Sequence, residues 1–362
     1  MTAPAPRILE IGLVPLMAQA YPDSTDHWSL QTPDAFDGRN PRHRLVTFAS
    51  LPRLWRAIRE QKHDLIVVQP MSYRPWQSQA IVRTIFRRSA LKGVVPYGRY
   101  FGPELIRANT NVPVAIWDWD DPPFIPRHNV FFLDRATCYF KRELPPDHWR
   151  VFMNTLHPRL PTPRFRSKPK NCERVAKLRP ISLGVPLGLD RDGEVAKIAG
   201  REKSADIFFA GRVAGSSTVR ERGLAELLAL RDKGIVVDIP DKNLDRQAYL
   251  ERCASAWLVW SPEGYGYDCF RHYEAPLCGS VPLINAPTID RYQPLQDGVH
   301  CFYYGPEPGG LTRAAERALS DKTRLAAMAR TGRDFAIAEH AIAALARYVA
   351  ETTLSAAVTQ RT

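Results

Sequence analysis

The sequence predicts an α/β protein in which parallel β-sheets are covered by helices. Short apolar runs typical of strands alternate with longer amphipathic runs typical of helices. The chain of 362 residues is longer than most domains that have a single hydrophobic core, so we expect two domains. A proline-rich and basic stretch over residues 144–179 separates two regions of this alternation. We therefore predict a first domain over residues 1–180, a second over 181–340, and a C-terminal helix over 341–362.

The first region opens with the strand-like run ILEIGLV. The runs that follow it are RLVTFAS, LPRLWRAIREQ, DLIVVQP, QSQAIVRTIFRRSALKG, VPVAIW and VFFLDRA. Apolar residues at helical spacing predict helices in LPRLWRAIREQ and QSQAIVRTIFRRSALKG, while the continuous apolar runs predict buried strands. This order predicts a parallel sheet whose connecting loops face one side.

The second region repeats the alternation. Its predicted strands are DIFFAGR, IVVDIP, WLVWSP and VPLI, and its predicted helices are VRERGLAELLALRDKG and DRQAYLERCASA. A segment YQPLQDGVHCFYY precedes a run of C-terminal helices in which Ala and Leu recur at helical spacing. The second region therefore predicts another parallel sheet, closed by packing helices.

Bulk composition narrows the function classes. Fifty basic residues against 38 acidic ones give a net charge of +12, which favours an anionic partner. The six cysteines form no CxxC pair and have no His partners at zinc spacing, so we expect no metal site. No run approaches the roughly 20 apolar residues that span a bilayer, and no basic segment precedes the first apolar run. We expect a cytoplasmic protein.

The most informative stretch is SPEGYGYDCFRHYEAPLCGSVPLI, residues 261–284. WLVWS predicts a buried strand, PEGYGYD predicts a loop at its carboxyl end, and CFRHYEAPLC predicts a helix. Asp268 is expected to cap the start of that helix, and Gly279 to end it. Because ligands of open α/β sheets bind at the carboxyl ends of strands, this loop is a candidate binding site.

The residue types in this loop indicate one kind of ligand. Gly264 and Gly266 allow close approach of the backbone, and the helix start behind them suits a phosphate. Arg271 can clamp a diphosphate, and the Glu274 carboxylate can accept hydrogen bonds from the hydroxyls of a ribose. The alternative is that Arg271 and Glu274 form only a surface ion pair on one helix face. The adjacent glycine turn favours binding of a nucleoside diphosphate that carries a sugar.

This stretch resembles the donor-binding region of GT-B glycosyltransferases, in particular the exostosin-like and related bacterial group. Members of that group read approximately G-x-G-x-D-x-x-R-x-x-E-A-x-x-x-G-x-x-P. The chain matches this pattern at Gly264, Gly266, Asp268, Arg271, Glu274, Ala275, Gly279 and Pro282. DIFFAGR, with Arg220 in the following helix, is similar to the segment that approaches the donor phosphates. The resemblance covers roughly residues 205–304.

The resemblance implies two Rossmann-like domains facing a cleft, with C-terminal helices that cross back to the first domain. It implies a nucleotide sugar, UDP- or GDP-linked, in the second domain and an acceptor in the first. The implied donor-binding residues are Gly211, Arg212, Arg220, Glu263, Gly264, Tyr265, Gly266, Tyr267, Asp268, Arg271, His272 and Glu274. Fixed cations and a helix start would stabilise the leaving diphosphate without a metal ion, so Arg271 is also a catalytic candidate. The spacing of Glu263 and Glu274 differs from that of many retaining enzymes of this fold, which leaves the stereochemistry open.

The acidic run WDWDDPP follows a predicted strand of the first domain. Asp118 and Asp120 form a DxD pair, which binds a divalent cation in metal-dependent glycosyltransferases of the other major fold. If the reaction inverts the sugar, Asp118, Asp120 or Asp121 could instead deprotonate the acceptor hydroxyl. A solvated acidic turn is the plainer alternative. We expect Lys141 and Arg142, in FKREL, to be surface charges, and contact with the acceptor or a phosphate is the alternative.

Two other functions remain open at this stage. An epimerase of the same fold would alter the nucleotide sugar without an acceptor. A nucleic-acid-binding protein would use the net positive charge and the proline-rich basic stretch, but no regular aromatic or basic spacing supports it. We expect a glycan, a lipid-linked compound or a small molecule as the acceptor, and the basic charge also fits peripheral contact with an anionic inner membrane face.

Overall fold

The computed structural model describes residues 4–71, 95–108, 110–153, 168–189 and 194–360. The helix predicted in QSQAIVRTIFRRSALKG and the middle of the proline-rich stretch lie outside these residues. The chain divides into two compact units: unit 1 is Met1–Pro180 with Ala346–Thr362, and unit 2 is Ile181–Leu345. Each unit contains one parallel sheet, so the predicted α/β class is confirmed.

Unit 1 contains a seven-stranded sheet. Its strands are β1 Ile8–Gly12, β2 Thr25–Ser29, β3 His43–Leu45, β4 Leu65–Val68, β5 Val114–Asp118, β6 Cys138–Lys141 and β7 Leu178–Pro180. They lie in the order β3-β2-β1-β4-β5-β6-β7, so the order reverses between β1 and β4. Every residue of β1, β4, β5 and β6 is buried, as expected for parallel strands covered on both faces.

Unit 2 contains a five-stranded sheet. Its strands are β8 Ala205–Phe208, β9 Val237–Asp238, β10 Ala256–Trp260, β11 Val281–Asn285 and β12 Phe302–Tyr304. They lie in the order β12-β11-β10-β8-β9, so here the order reverses between β8 and β10. Leu258 of β10 pairs with Ile207 on one side and with Val281 on the other. The strands predicted in the second region are all present.

The helices of the described residues complete both units. The α-helices are α1 Leu51–Arg59, α2 Phe131–Arg135, α3 Pro169–Ala176, α4 Glu194–Ile198, α5 Thr218–Ala229, α6 Arg246–Ala254, α7 Arg271–Leu277, α8 Gly310–Leu319, α9 Lys322–His340 and α10 Ile342–Thr359. Short 3₁₀ turns occupy Met17–Gln19, Pro33–Ala35, Phe48–Ser50, Val95–Phe101, Pro103–Arg107, His148–Phe152 and Leu230–Lys233. The run VFFLDRA forms α2 and not a strand, because a short apolar run does not distinguish a buried strand from a buried helix.

Helix α1 shows why the amphipathic runs become helices. Leu54 and Ile58, one turn apart, are buried in the core of unit 1, while Arg53 and Trp55 face outward. The preceding turn is closed by a capping box, in which Thr47 and Ser50 exchange side-chain and backbone hydrogen bonds. Sequence periodicity therefore predicted this helix, and the capped turn leads directly into it.

The C-terminal helix belongs mainly to unit 1. The ring of Tyr348 packs edge-on against Phe140 at 5.3 Å, and its hydroxyl donates to the carbonyl oxygen of Pro180 over 3.2 Å. Val349 is fully buried. The expected return of the C-terminal helices to the first half of the chain is confirmed.

No single helix in the described part of the chain is long and apolar enough to cross a membrane. Helices α9 and α10 meet the length and composition test only when counted together across a 44° bend. Leu325, Met328 and Ala329 of α9 lie in the apolar core of unit 2, where they pack with residues of α8 and the sheet. Their apolar character therefore has a packing explanation.

Gly184 offers a test of how unit 2 is closed near its start. It adopts φ +73°, and an added Cβ would lie 2.6 Å from the carbonyl oxygen of His340. That oxygen accepts a hydrogen bond from the backbone of Val185 over 2.8 Å. We expect Gly184→Ala to lower the free energy of unfolding by about 3 kcal/mol, because alanine is strained at positive φ and must also displace this oxygen.

Gly188 is the matched control. It has φ +83°, but a Cβ there would meet nothing within 4 Å. Gly188→Ala should therefore cost only about 1 kcal/mol, from the left-handed backbone alone. Denaturant unfolding of both variants measures the difference. Equal losses would contradict the steric role assigned to Gly184.

Candidate functional site

The candidate site lies where the strand order of unit 2 reverses. Gly211 and Arg212 follow the carboxyl end of β8, while Glu263 and Gly264 follow that of β10. Ligands of open α/β sheets bind outside the carboxyl ends of strands at such a reversal. The topology therefore brings together the two segments that the sequence singled out, DIFFAGR and PEGYGYD.

Each of these two loops has an arginine packed against its glycine. The Nη1 of Arg271 donates to the carbonyl oxygen of Ala210 over 3.3 Å. A Cβ added to Gly211 would lie 3.1 Å from the same Nη1 atom. A Cβ added to Gly264 would lie 2.9 Å from Nη2 of Arg220. Both glycines therefore favour close approach of a guanidinium group to the loop. A larger side chain at either position would push a guanidinium group away from the loop.

Arg220 links the two loops. It is buried on α5, and it donates to the carbonyl oxygen of Arg212 over 2.6 Å and to that of Pro262 over 3.2 Å. Ser217, the N-cap of α5, accepts from the backbone of Arg220 and donates its hydroxyl to the carbonyl oxygen of Glu263 over 3.1 Å. The start of α5 is therefore anchored to both strand ends.

The site contains two neighbouring guanidinium groups. Burial lowers the pKa of Arg220, and the nearby charge of Arg271 lowers it further. The Nε atoms of both arginines are buried without a hydrogen-bond partner in the described part of the chain. The guanidinium group of Arg271 also lies 5.6 Å from the ring of Phe209. Two guanidinium groups thus lie near each other and are held by backbone carbonyls, an arrangement that attracts an anion.

Glu274 does not form the surface ion pair that was the alternative interpretation. It is partly buried, and its carboxylate accepts a hydrogen bond from the hydroxyl of Tyr249 over 2.9 Å. No ion pair joins it to Arg271, although both side chains are described. Burial raises the pKa of Glu274, while the Tyr249 hydrogen bond and the charge of Arg271 oppose this rise. Tyr249 therefore fixes the orientation of this carboxylate.

Asn285 shapes the glycine–tyrosine loop. Its side-chain oxygen accepts from the backbone of Glu263 over 2.8 Å, and its amide donates to the Glu263 carboxylate over 3.1 Å. The backbone of Gly264 donates to the carbonyl oxygen of Gly266 over 2.8 Å, which tightens the turn. Tyr267 is buried and donates to the carbonyl oxygen of Asn285, whereas Tyr265 is 66% exposed. Of the two tyrosines, only Tyr265 is available to a ligand.

The predicted N-cap role of Asp268 is wrong. Helix α7 begins at Arg271, with Phe270 at its N-cap and no side-chain capping bond. Asp268 is buried and accepts from the backbone of Leu183 over 2.5 Å and from the hydroxyl of Tyr273 over 2.8 Å. Its carboxylate therefore anchors the loop to the first residues of unit 2. Gly279 does end the helix, with φ +79°.

Cys269 and His272 form a coupled pair beneath Arg271. Burial alone would raise the pKa of Cys269, but the charges of His272 and Arg271 outweigh it and lower that pKa to about 6. Burial would lower the pKa of His272, but Cys269 and the hydrogen bond to Asp268 raise it to about 10. The Cys269 sulfur lies 3.3 Å from the hydroxyl of Ser261. The geometry favours a thiolate beside an imidazolium.

We expect Cys269 to be alkylated by iodoacetamide with an apparent pKa near 6, because the thiolate is the reacting species. The rate should rise as the pH passes 6 and level off above 7. Cys253 and Cys301 should stay unmodified, because burial raises the pKa of both thiols. Peptide mass spectrometry of a Cys172→Ser protein, which lacks the exposed cysteine, measures the rate.

His272→Gln provides the control for this measurement. Loss of the imidazolium should move the midpoint for Cys269 up toward the ordinary thiol value of about 8.5. A midpoint that is the same in both proteins, with folding verified by thermal melting, would contradict the coupling.

The aspartates predicted in unit 1 differ from one another. Asp118 is 1% exposed and accepts from the hydroxyl of Tyr139 over 2.7 Å and from Nζ of Lys141 over 3.2 Å. Asp120 is partly exposed, and its backbone donates to the Asp118 carboxylate over 2.9 Å. Asp121 is 55% exposed and pairs with Arg142. Asp120 and Asp121 are thus accessible to a substrate, whereas Asp118 is enclosed.

The surface charges predicted in FKREL are instead buried. Lys141 is fully buried beside Asp118, and Arg142 lies between Asp121 and Glu143. The expectation failed because the sequence does not reveal that Asp118 and Asp121 lie beside these residues, at the end of the neighbouring strand. Lys141 also occupies the place where a cation would bind Asp118. No group of three or more metal-binding side chains is present among the described residues.

The predicted donor residues lie near the strand reversal, but Arg212 contributes its backbone carbonyl and not its guanidinium group to the contact between the loops. The side chain of Arg212 is exposed and donates to the carbonyl oxygen of Ala214 over 3.3 Å, while its own carbonyl accepts from Arg220. Sequence reasoning missed Ser217, Tyr249 and Asn285. A polar residue that ends the apolar run VPLIN, and a serine three residues before Arg220, were the available signals.

Comparison with known proteins places this geometry in context. No protein-family model matches the chain, and no curated protein matches it. The structure of HepE from Anabaena in complex with UDP matches at a TM-score of 0.52 and 13% identity, over 96% of this chain and 100% of that chain. A sucrose-phosphate synthase from Thermosynechococcus elongatus matches at 0.52 and 14% identity, over 98% and 100% of the two chains. A glycosyltransferase from Rickettsia africae matches at 0.50 and 10% identity, over 96% and 97%.

These matches cover nearly the whole chain and include both sheets. The chain therefore has the GT-B fold, with two Rossmann-like sheets, as the resemblance implied. The narrower likeness to the exostosin-like group stays a prediction.

Proposed function

We propose that the chain is a glycosyltransferase that moves a sugar from a nucleoside-diphosphate sugar to an acceptor hydroxyl. The observation that carries this proposal is the pair of guanidinium groups of Arg220 and Arg271 beside two glycine turns. A diphosphate is the anion that best matches two adjacent cations near a helix start. In this proposal Glu274 accepts hydrogen bonds from the ribose, and the turn of Gly264 and Gly266 lies beside the sugar.

The chemistry proposed for these residues is electrostatic. When the bond between the sugar C1 and the diphosphate oxygen breaks, negative charge develops on the leaving diphosphate. Arg220 and Arg271 are already fixed by backbone carbonyls, so they can stabilise this charge without reorganising. We propose that these cations serve in place of a metal ion. A UDP-linked sugar is the first donor to test, because HepE was solved with UDP, and a GDP-linked sugar is the second.

We propose that Asp120 or Asp121 in unit 1 deprotonates the acceptor hydroxyl if the sugar is inverted. Both carboxylates are accessible, while Asp118 is held by Tyr139 and Lys141 and orients the turn through its bond to the backbone of Asp120. The acceptor proposed is a glycan, a lipid-linked compound or a small molecule with a hydroxyl group. A cytoplasmic location fits this chemistry, since nucleotide sugars are its co-substrates.

Glu274 and Arg271 give a direct test of donor binding by calorimetry. Arg271→Ala should weaken UDP binding roughly 10- to 100-fold, because hydrogen bonds to charged groups contribute about 1.5–3 kcal/mol each. Glu274→Gln should weaken UDP binding but leave the affinity for 2′,3′-dideoxy-UDP unchanged, because that analogue lacks the hydroxyls that Glu274 is proposed to hold. The glutamine oxygen can still accept from Tyr249, so the fold should persist.

Arg222→Ala is the control for both variants, because Arg222 is exposed on the same helix as Arg220. It should bind UDP like the unaltered protein. If no nucleoside diphosphate binds to the folded protein, the proposed function fails. If UDP binds but Glu274→Gln still discriminates it from the dideoxy analogue, the ribose is held elsewhere.

Asp120→Asn and Asp121→Asn separate the acceptor base from the donor site. We expect one of them to reduce kcat by about 100-fold or more while leaving UDP affinity unchanged, because general base catalysis typically contributes 10²–10⁴-fold. Asp34→Asn, an exposed aspartate of unit 1, should have no effect on kcat. Steady-state kinetics with a competent donor and acceptor measure the effect. Unchanged kcat in both variants would exclude these carboxylates as the base.

A further inference from the structure

A basic cavity in unit 1 lies at the edge of the sheet opposite the carboxyl ends of the strands. Its lining includes Arg7, Ser24, Arg42 and His63, which precede β1, β2, β3 and β4 respectively. Because these strands are parallel, all four residues lie at their amino ends. The cavity measures about 510 Å³, within the range of small-molecule sites. It is separate from Asp118, Asp120 and Asp121, which lie at or beyond the carboxyl end of β5.

The charges that line this cavity are unequal. Six of the lining side chains are arginine or lysine, namely Arg7, Arg42, Arg44, Arg53, Arg56 and Lys62. Three are acidic: Asp23, Asp26 and Glu60. Arg7 pairs with Asp64 outside the lining, and Lys62 pairs with Glu60. Four arginines then remain against two aspartates, so the cavity keeps a positive field.

Asp26 cannot neutralise the basic groups that share it. Its carboxylate lies 3.5 Å from Arg42, 3.7 Å from Arg44 and 3.1 Å from His63. The guanidinium group of Arg44 lies 5.6 Å from the ring of Trp28, which is almost fully buried. One carboxylate is thus shared by two arginines and a histidine. The arginine N–H groups that it cannot accept from are available to an anion.

Arg53 and Arg56 have no acidic partner among the described residues. They lie one turn apart on α1, both are exposed, and neither makes an ion pair with any described residue. Two like charges at this spacing repel each other and disfavour the isolated helix. An anion bound between them would remove this repulsion.

We infer that this cavity binds a small anion with two or more phosphate groups, at a site distinct from the proposed donor site. The cations are distributed over α1 and the starts of three strands, so a single phosphate cannot contact all of them. A flat membrane surface fits less well, because the cavity is concave. The exposed aromatic side chains Phe48 and Phe101 pack together beside the start of α1, next to the carboxyl end of β3, and neither lines this cavity.

Calorimetric titration with inorganic tripolyphosphate tests the inference. The protein is first saturated with UDP, which occupies the donor site if the proposed function is correct. Tripolyphosphate should still bind, and Arg53→Gln with Arg56→Gln should weaken that binding about tenfold or more. Arg59→Gln is the matched control, because Arg59 lies on the same helix over Trp55 at 4.8 Å and does not line the cavity. The control should bind like the unaltered protein.

Three results would overturn the inference. The first is that tripolyphosphate fails to bind the folded protein. The second is that the double variant and Arg59→Gln lose the same affinity, which indicates attraction by net charge only. The third is that the protein sediments with phosphatidylglycerol vesicles and the double variant does not, while tripolyphosphate fails to bind. That result indicates that the cavity contacts a lipid surface. If UDP does not bind but tripolyphosphate does, and the double variant weakens that binding while Arg59→Gln does not, the donor proposal fails and this inference stands.

Discussion

The proposed site depends on holding two guanidinium groups near each other at a strand reversal. Such groups are costly to bury unless their hydrogens find acceptors, and here the backbone carbonyls of Ala210, Arg212 and Pro262 accept from three of their nitrogens. Those carbonyls belong to the loops after β8 and β10, so the positions of the arginines and the conformations of the loops determine each other. Gly211 and Gly264 are the residues that make this contact sterically possible. The thiolate of Cys269 and the carboxylate of Glu274 offset part of the charge of Arg271, but the Nε of each arginine has no hydrogen-bond partner among the described residues, which is why an anion is the expected ligand.

At the carboxyl edge of the sheet in unit 1, the buried charges instead neutralise each other. There the ends of β5 and β6 bring a buried carboxylate and a buried ammonium group together, Asp118 and Lys141, with the hydroxyl of Tyr139 as a third partner. Charge balance of this kind fixes geometry without attracting an ion. The Asp118 carboxylate accepts a hydrogen bond from the backbone of Asp120 and so fixes the backbone that carries the accessible Asp120 carboxylate. This is a suitable arrangement for a base that must meet a neutral hydroxyl group.

The sequence was sufficient for the fold and for the segments that meet at the strand reversal of unit 2, but not for the contacts of individual side chains. Continuous apolar runs predicted the buried strands, and the glycine turn after WLVWS marked the loop that reaches the strand reversal. Asp268 was misassigned as a helix cap because a local pattern was preferred to a partner 85 residues away, the backbone of Leu183. Lys141 and Arg142 were misassigned for the same reason. Tertiary partners that are remote in sequence determine whether a charged residue is buried, and no local pattern reveals them.

The two sheets also differ at the reversal point itself, and this difference supports the proposal that unit 2 receives the nucleotide. In unit 1 the loop after β1 is closed by Gln69, whose amide donates to the carbonyl oxygen of Val14 over 2.7 Å and accepts from the backbone of Leu13 over 2.9 Å. The fully buried Glu10 accepts from the backbone of Leu16 over 2.9 Å. These backbone N–H groups are the kind that bind a phosphate in a nucleotide-binding Rossmann unit, and here a carboxylate and an amide already occupy them. At the reversal point of unit 1 a diphosphate would meet the carboxylate of Glu10, whereas at that of unit 2 it would meet the guanidinium groups of Arg220 and Arg271. This contrast supports the proposal that the donor binds to unit 2.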